Sequence, residues 1–327
     1  MLKKLLSFVC LIFIAFGAFS QTVGQYTMWF QNHYLVNPAA VGNQDYIDVA
    51  MGYRKQWAGV KNSPQTIYAT GHSVLNRPAT HHRSALRLSN TKNENYRKQK
   101  NYSRPMIKHA IGGKLNSIQQ GAFVRTEAMA TYAFHLPVAK DMSLSFGLSA
   151  GLNSFGFDEN LATVIDENDP VYQDYVAGET SNQLNVNTGI YLYSDQFFVG
   201  FSSNQLLQND LQIADIETSP ANSNLEMQHI LIGGYNFDLS NDFRLSPNAL
   251  FRLTEANPLG FELGANLSYQ EFLNAGLSYR SDDAISIQFG MQANHFLKFG
   301  YAYDYTLSEL SAASSGSHEL YIGLTLF

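Results

Sequence analysis

The chain has 327 residues, of which 15% are charged and 45% hydrophobic, with Asp and Glu outnumbering Lys and Arg by 27 to 21. Soluble domains carry roughly 25% charge, so at a mean hydropathy of −0.18 uncharged polar residues fill the gap, the usual lining of strands that face lipid on one side and water on the other. The acidic balance excludes a nucleic-acid binder, and the single cysteine, Cys10, lies within a predicted signal peptide, so a mature chain without it has no thiol for disulfides, thiolate metal sites or cysteine catalysis.

Lys3 and Lys4 precede an uncharged apolar run from Leu5 to Phe19, and Ala18-Phe19-Ser20 offers small residues where a signal peptidase reads, so residues 1–20 are predicted to be a cleaved signal peptide with the mature start at Gln21. Losing two lysines takes Lys and Arg from 21 to 19 and the formal charge from −6 to −8. The run is shorter than the roughly 20 residues a helix needs to cross a bilayer. Residues 21–45 follow as an amino-terminal segment, a candidate plug or tether, and the sequence leaves open whether it fills a lumen.

From residue 46 to 327 the dominant signal is period two. Leu144, Phe146, Leu148, Ala150 and Leu152 alternate with Ser145, Gly147, Ser149, Gly151 and Asn153, and Phe261, Leu263, Ala265 and Leu267 alternate with Glu262, Gly264 and Asn266. About fourteen such segments follow one another: 46–56, 65–74, 108–116, 122–134, 142–157, 183–193, 196–203, 227–236, 243–252, 260–269, 272–280, 284–293, 295–305 and 317–327. Strands of roughly 9 to 11 residues span a membrane when tilted. The expected fold is therefore all-β, a transmembrane antiparallel up-and-down β-barrel, rather than a soluble β-sandwich. In the final segment Leu320, Ile322, Leu324 and Leu326 share one face, and Phe327 is the aromatic terminus expected to act as a barrel-assembly signal.

With both ends periplasmic, the connections near 135–141, 194–195, 237–242, 270–271 and 294 are periplasmic and short, and those near 158–182, 204–226 and 306–316 are external and long. Residues 75–107 break this rule as a long basic periplasmic insertion, where Arg97, Lys98, Lys100 and Arg104 form a candidate docking site for an acidic partner.

Ahead of and within the first strand stand Tyr34, Asn37-Pro38-Ala39, Gly42, Tyr53-Arg54-x-Gln56-Trp57 and Pro64, followed later by Thr131-Tyr132-Ala133-Phe134-His135, Leu144-Ser145-Phe146-Gly147-Leu148 with Gly151, and Phe198-Val199-Gly200-Phe201-Ser202. Together these resemble the PorP/SprF family of outer-membrane proteins of the type IX secretion system. The resemblance implies a non-enzymatic outer-membrane barrel that binds a periplasmic subunit of the secretion or gliding machine, or a secreted adhesin with a type B carboxyl-terminal domain. Arg54 falls on the face opposite Ile47, Val49, Met51 and Tyr53, hence toward the lumen, since an uncompensated charge facing lipid costs about 2 to 4 kcal/mol. Trp57 at the strand end suits an interfacial anchor, and Asn37 before Pro38 favours a turn.

Other motifs carry little. Asn37-Pro38-Ala39 spells the water-channel tripeptide but lacks the half-helices that motif needs. The acids Asp158, Glu159, Asp166, Glu167, Asp169 and Asp174 match no calcium-loop spacing, His81-His82 lacks a third ligand, and His72 and Ser73 point to opposite faces of a strand. No enzyme, cofactor or metal is expected. Lipid and a protein partner are, with oligomeric state left open; the competing expectation is an outer-membrane diffusion or small-solute uptake channel with an open lumen.

Overall fold

The computed structural model describes residues 24–75, 107–164, 170–177, 180–208, 210–211, 223–224, 226–254, 259–270, 272–294 and 296–326. The predicted signal peptide, the candidate docking residues Arg97, Lys98, Lys100 and Arg104, and Phe327 lie outside the described residues. Fourteen strands make the wall: β1 (Ile47–Lys55), β2 (Gln65–Val74), β3 (Lys108–Gln120), β4 (Phe123–Ala139), β5 (Met142–Phe157), β6 (Ser181–Ser194), β7 (Phe197–Asn204), β8 (Gln228–Tyr235), β9 (Phe243–Thr254), β10 (Gly260–Tyr269), β11 (Leu273–Arg280), β12 (Ala284–Gln292), β13 (Leu297–Thr306) and β14 (Ser317–Leu326). Each pairs antiparallel with its neighbours in sequence, and β14 pairs with β1, so the sheet closes. Closure leaves no unpaired edge, the condition for strands to cross lipid. Among the described residues no helix is long and apolar enough to cross a membrane.

The alternation has an inside-out sense. On the outer face Leu184 is 65% and Leu277 59% exposed, and Met51, Ile67, Leu115, Leu148 and Phe289 are likewise exposed. A soluble sandwich would bury these side chains. Thr66, Thr70, Ser145, Ser149, Asn185, Asn187 and Ser202 on the opposite parity are buried. Exposed aromatics gather near the ends of the strands, with Tyr235, Phe237, Phe243, Tyr269 and Phe272 toward one rim and Tyr53, Tyr279 and Tyr305 toward the other, as interfacial girdles require.

Strand direction places the end of β2, the start of β3, the turns at 140–141 and 195–196, and Gln270 and Phe272 on the rim that also receives Ile47 and Leu326. Several strands run longer than the sequence pattern, β3 to Gln120 and β4 to Ala139 the most. β4 continues through Pro137 to Ala139, where the ladder with β5 shifts register, because an irregularity beside a proline lets the strand continue past a residue that cannot donate. A short helix, Pro170–Ala177, interrupts the connection between β5 and β6, its eight residues being too few to leave a clear helical period in the sequence.

Candidate functional site

Residues 24–43 lie inside the barrel, and Gln44 and Asp45 are exposed at its rim. The inner residues form three 3-10 turns, Thr27–Gln31, His33–Leu35 and Pro38–Ala40. Two asparagines start the second and third turns: the Asn32 side chain accepts from Tyr34 N at 3.2 Å, and the Asn37 side chain from Ala39 N at 2.9 Å. Asn37 is extended at φ −142° and Pro38 follows as the first residue of its turn, the preset that a proline gives and the conformation it imposes on the residue before it. The turns turn Met28, Trp29, Leu35, Val36, Ala39 and Ala40 into a buried cluster with Tyr68, Tyr191, Phe198, Ile230, Ile232 and Tyr321 of the wall.

On the side of β2 to β7 the bonds to the inner segment run between neutral groups, beside a largely buried ion cluster of Lys114, Arg125 and Glu127 on β3 and β4. Asn37 Nδ2 donates to the carbonyls of Ile190 at 3.1 Å and Phe201 at 3.4 Å, Ser202 Oγ to Val36 O at 2.6 Å, and Ser145 Oγ to Ala39 O at 2.7 Å. His135 Nε2 donates to Val41 O at 2.8 Å, so its Nδ1 accepts from the Tyr193 hydroxyl at 2.9 Å. Asn32 Nδ2 reaches Thr70 Oγ1 at 2.7 Å, and Tyr34 and Thr131 share a hydroxyl bond at 2.6 Å. Desolvation lowers the His33 imidazole to about 4 and raises the Tyr34 phenol to about 12, so both are neutral near pH 7. Glycines in the wall make the room: a Cβ on Gly147 would run into the Pro38-Ala39 backbone, and one on Gly189 or Gly200 into the Asn37 amide.

On the side of β1 and β10 to β14 the seat is ionic. Arg54 Nη2 bonds Asp304 Oδ2 at 2.6 Å, and its Nη1 donates to Thr27 Oγ1 at 2.6 Å and lies 3.4 Å from Glu319 Oε2. Arg280 joins Glu262 at 3.1 Å, Asp283 at 2.9 Å and Asp304 at 3.3 Å. Trp29 Nε1 donates to Glu262 Oε1 at 3.1 Å, and Tyr68 OH to Glu319 Oε1 at 2.8 Å. Arg54, Asp304 and Glu319 are almost wholly buried. Buried charges survive only when paired and hydrogen-bonded, and here the inner segment supplies part of that pairing.

The signature residues thus separate. Asn37, Pro38 and Ala39 lie in the inner segment with Gly42, whose φ of +77° is in the region glycine tolerates and whose N–H donates to His72 Nδ1 at 3.3 Å. Arg54 sits in the ionic cluster. Tyr53 faces outward, its hydroxyl on Gln65 Oε1 at 2.9 Å. Gln56, Trp57 and Pro64 belong to the turn between β1 and β2, where Gln56 N bonds Pro64 O at 2.9 Å and Trp57, at φ +47°, donates its N–H to Ser317 Oγ at 3.0 Å. Sequence reasoning missed Thr27, Trp29, Glu262, Arg280, Asp304 and Glu319 as site residues. For Glu262, Arg280, Asp304 and Glu319 the signal was charge at inward parity in a chain otherwise poor in charge; Thr27 and Trp29 carried no such signal. Among the described residues no group of three or more His, Cys, Asp or Glu is placed to hold a metal.

A family model described as type IX secretion system membrane protein PorP/SprF matches residues 18–324. No curated protein matches the chain. Among solved structures, the CymD monoaromatic hydrocarbon channel is 10% identical with a TM-score of 0.50, covering 95% of this chain and 94% of its own. The toluene transporter TodX of P. putida is 9% identical at 0.49, covering 90% and 94%, and the Ralstonia pickettii toluene transporter TbuX is 9% identical at 0.47, covering 89% and 92%. At such identities the likeness is one of fold.

Proposed function

The chain belongs to the PorP/SprF family of type IX secretion system membrane proteins, and from that premise we propose that it is a non-enzymatic accessory or anchoring barrel of type IX secretion and gliding, plugged by its own residues 24–43. It is an outer-membrane β-barrel. The observation that carries the proposal is the filled lumen: the inner segment is bonded to the wall through β2, β4, β5, β6 and β7 on one side and through β1, β10, β11, β13 and β14 on the other. A barrel so occupied offers its rims, rather than its lumen, to other molecules. The alternative, a diffusion or small-solute uptake channel, needs a continuous aqueous path, and the packing of Trp29, Met28 and Ala39 against the wall weighs against one.

The partner in this reading is a periplasmic subunit of the machine or a cognate surface adhesin. We assign its docking to the basic connection that carries Arg97, Lys98, Lys100 and Arg104. Affinity capture from crosslinked cells should recover type IX components or the adhesin with the wild-type barrel. Replacing those four residues with Gln should leave barrel assembly intact and weaken capture. Salt should weaken the wild-type interaction too, as the Debye length falls from about 10 Å at 0.1 M to about 3 Å at 1 M. Equal capture by the neutralised variant at every salt concentration contradicts this assignment.

A further inference from the structure

Arg54 of β1 and Glu319 of β14 are directly opposite each other across the seam that closes the sheet. The two are 1% and 0% exposed, yet their own contact is long, at 3.4 Å. Each makes its shorter bond to a residue of neither strand. Arg54 Nη1 donates to Thr27 Oγ1 at 2.6 Å, and Thr27 N donates to Glu319 Oε2 at 2.7 Å. The same Thr27 hydroxyl accepts from Arg280 Nη2 at 3.1 Å and donates to Asp304 Oδ2 at 2.9 Å. One residue of the inner segment therefore completes the hydrogen bonding of charges carried by β1, β11, β13 and β14.

With the segment seated but the Thr27 bonds lost, Arg54 would keep Asp304 and Glu319 would keep Tyr68, yet each would lose its short bond to Thr27 where it is shut off from water, and a buried charge lacking part of its bonding costs more than the pair returns. The seam is also the ladder that joins the two ends of the sheet, so its closure carries the largest loop entropy of any pairing in the barrel. We propose that seating the inner segment and closing the β1–β14 seam are one cooperative step, with Thr27 as the positioning residue, so that this barrel closes only with its lumen filled. The inference is independent of which protein the rims bind.

The test separates coupling from local contact. Ser145 and Ser202 hold the inner segment through Ala39 O and Val36 O on the far wall, and neither belongs to a seam strand. Amide hydrogen exchange would be followed at Ile47–Lys55 and Ser317–Leu326 in the folded full-length barrel in detergent. Losing such bonds should raise seam exchange by about tenfold, both in Thr27→Val and in the double variant Ser145→Ala/Ser202→Ala, while Thr27→Ser, which keeps the hydroxyl, stays near wild type. Wild-type seam exchange in the double variant means that the segment and the seam are uncoupled, and wild-type exchange in Thr27→Val means that the bridge is idle; either overturns the proposal. If Thr27→Val yields no folded barrel and Thr27→Ser does, closure depends on the hydroxyl, as proposed. If only Thr27→Val folds, packing of the threonine methyl rather than the hydroxyl holds the site, and if neither folds the hydroxyl alone does not sustain closure; in both cases the proposal fails.

Discussion

Arg54 shows how one residue serves two structures. Its guanidinium points into the lumen because the outer face of β1 meets lipid, and there it finds Asp304, Glu319 and the Thr27 hydroxyl. Sequence parity gave its direction; the identity of its partners was not legible, since Asp304 and Glu319 lie 250 and 265 residues away. Arg54→Met would leave both carboxylates with less compensation. The expected loss is about 3 to 5 kcal/mol, read as a lower denaturant midpoint for the loss of heat-modifiable barrel. Arg54→Lys should recover only part of it, because a single ammonium cannot reproduce the fork that reaches Asp304 and Thr27 together. A midpoint unchanged in Arg54→Met would show that the cluster contributes nothing to the folded state.

At the scale of elements, the strands were the legible part. Their alternation survives because one face meets lipid and the other the inner segment, so each side chain reports its side. The path of residues 24–45 was not legible. Its three 3-10 turns are too short to show a period, and their stability comes from distant wall groups such as the Ile190 carbonyl, 153 residues from Asn37. The glycines were visible but read as generic strand alternation, whereas Gly147, Gly189 and Gly200 are the floor on which Asn37, Pro38 and Ala39 rest. Gly147→Leu should therefore leave the β4–β5 and β5–β6 ladders paired while forcing the Pro38-Ala39 turn off the wall, an overpacking cost of about 1 to 3 kcal/mol. A reporter thiol at Ala40, which is 2% exposed, reads the change: Ala40→Cys should resist maleimide in the otherwise wild-type barrel and react in the Gly147→Leu background. Equal protection in both would show that the floor is not specific.

For the whole molecule, low charge, closed pairing and an apolar outer face place the barrel in the outer membrane, and family membership places it in type IX secretion. What distinguishes an anchoring barrel from a channel is the lumen. The fold alone does not decide this, since the hydrocarbon channel CymD is built on a similar wall. The decision rests on the inner segment, whose contacts run from the neutral seat under Asn37 to the ionic seat around Thr27. The most direct measurement is single-channel recording of the purified full-length barrel in a planar bilayer. The account predicts insertion without stepwise conductance, because the inner segment is packed and bonded against the wall on both sides of the lumen. Steady ohmic steps of an open pore from the intact wild-type protein would contradict it.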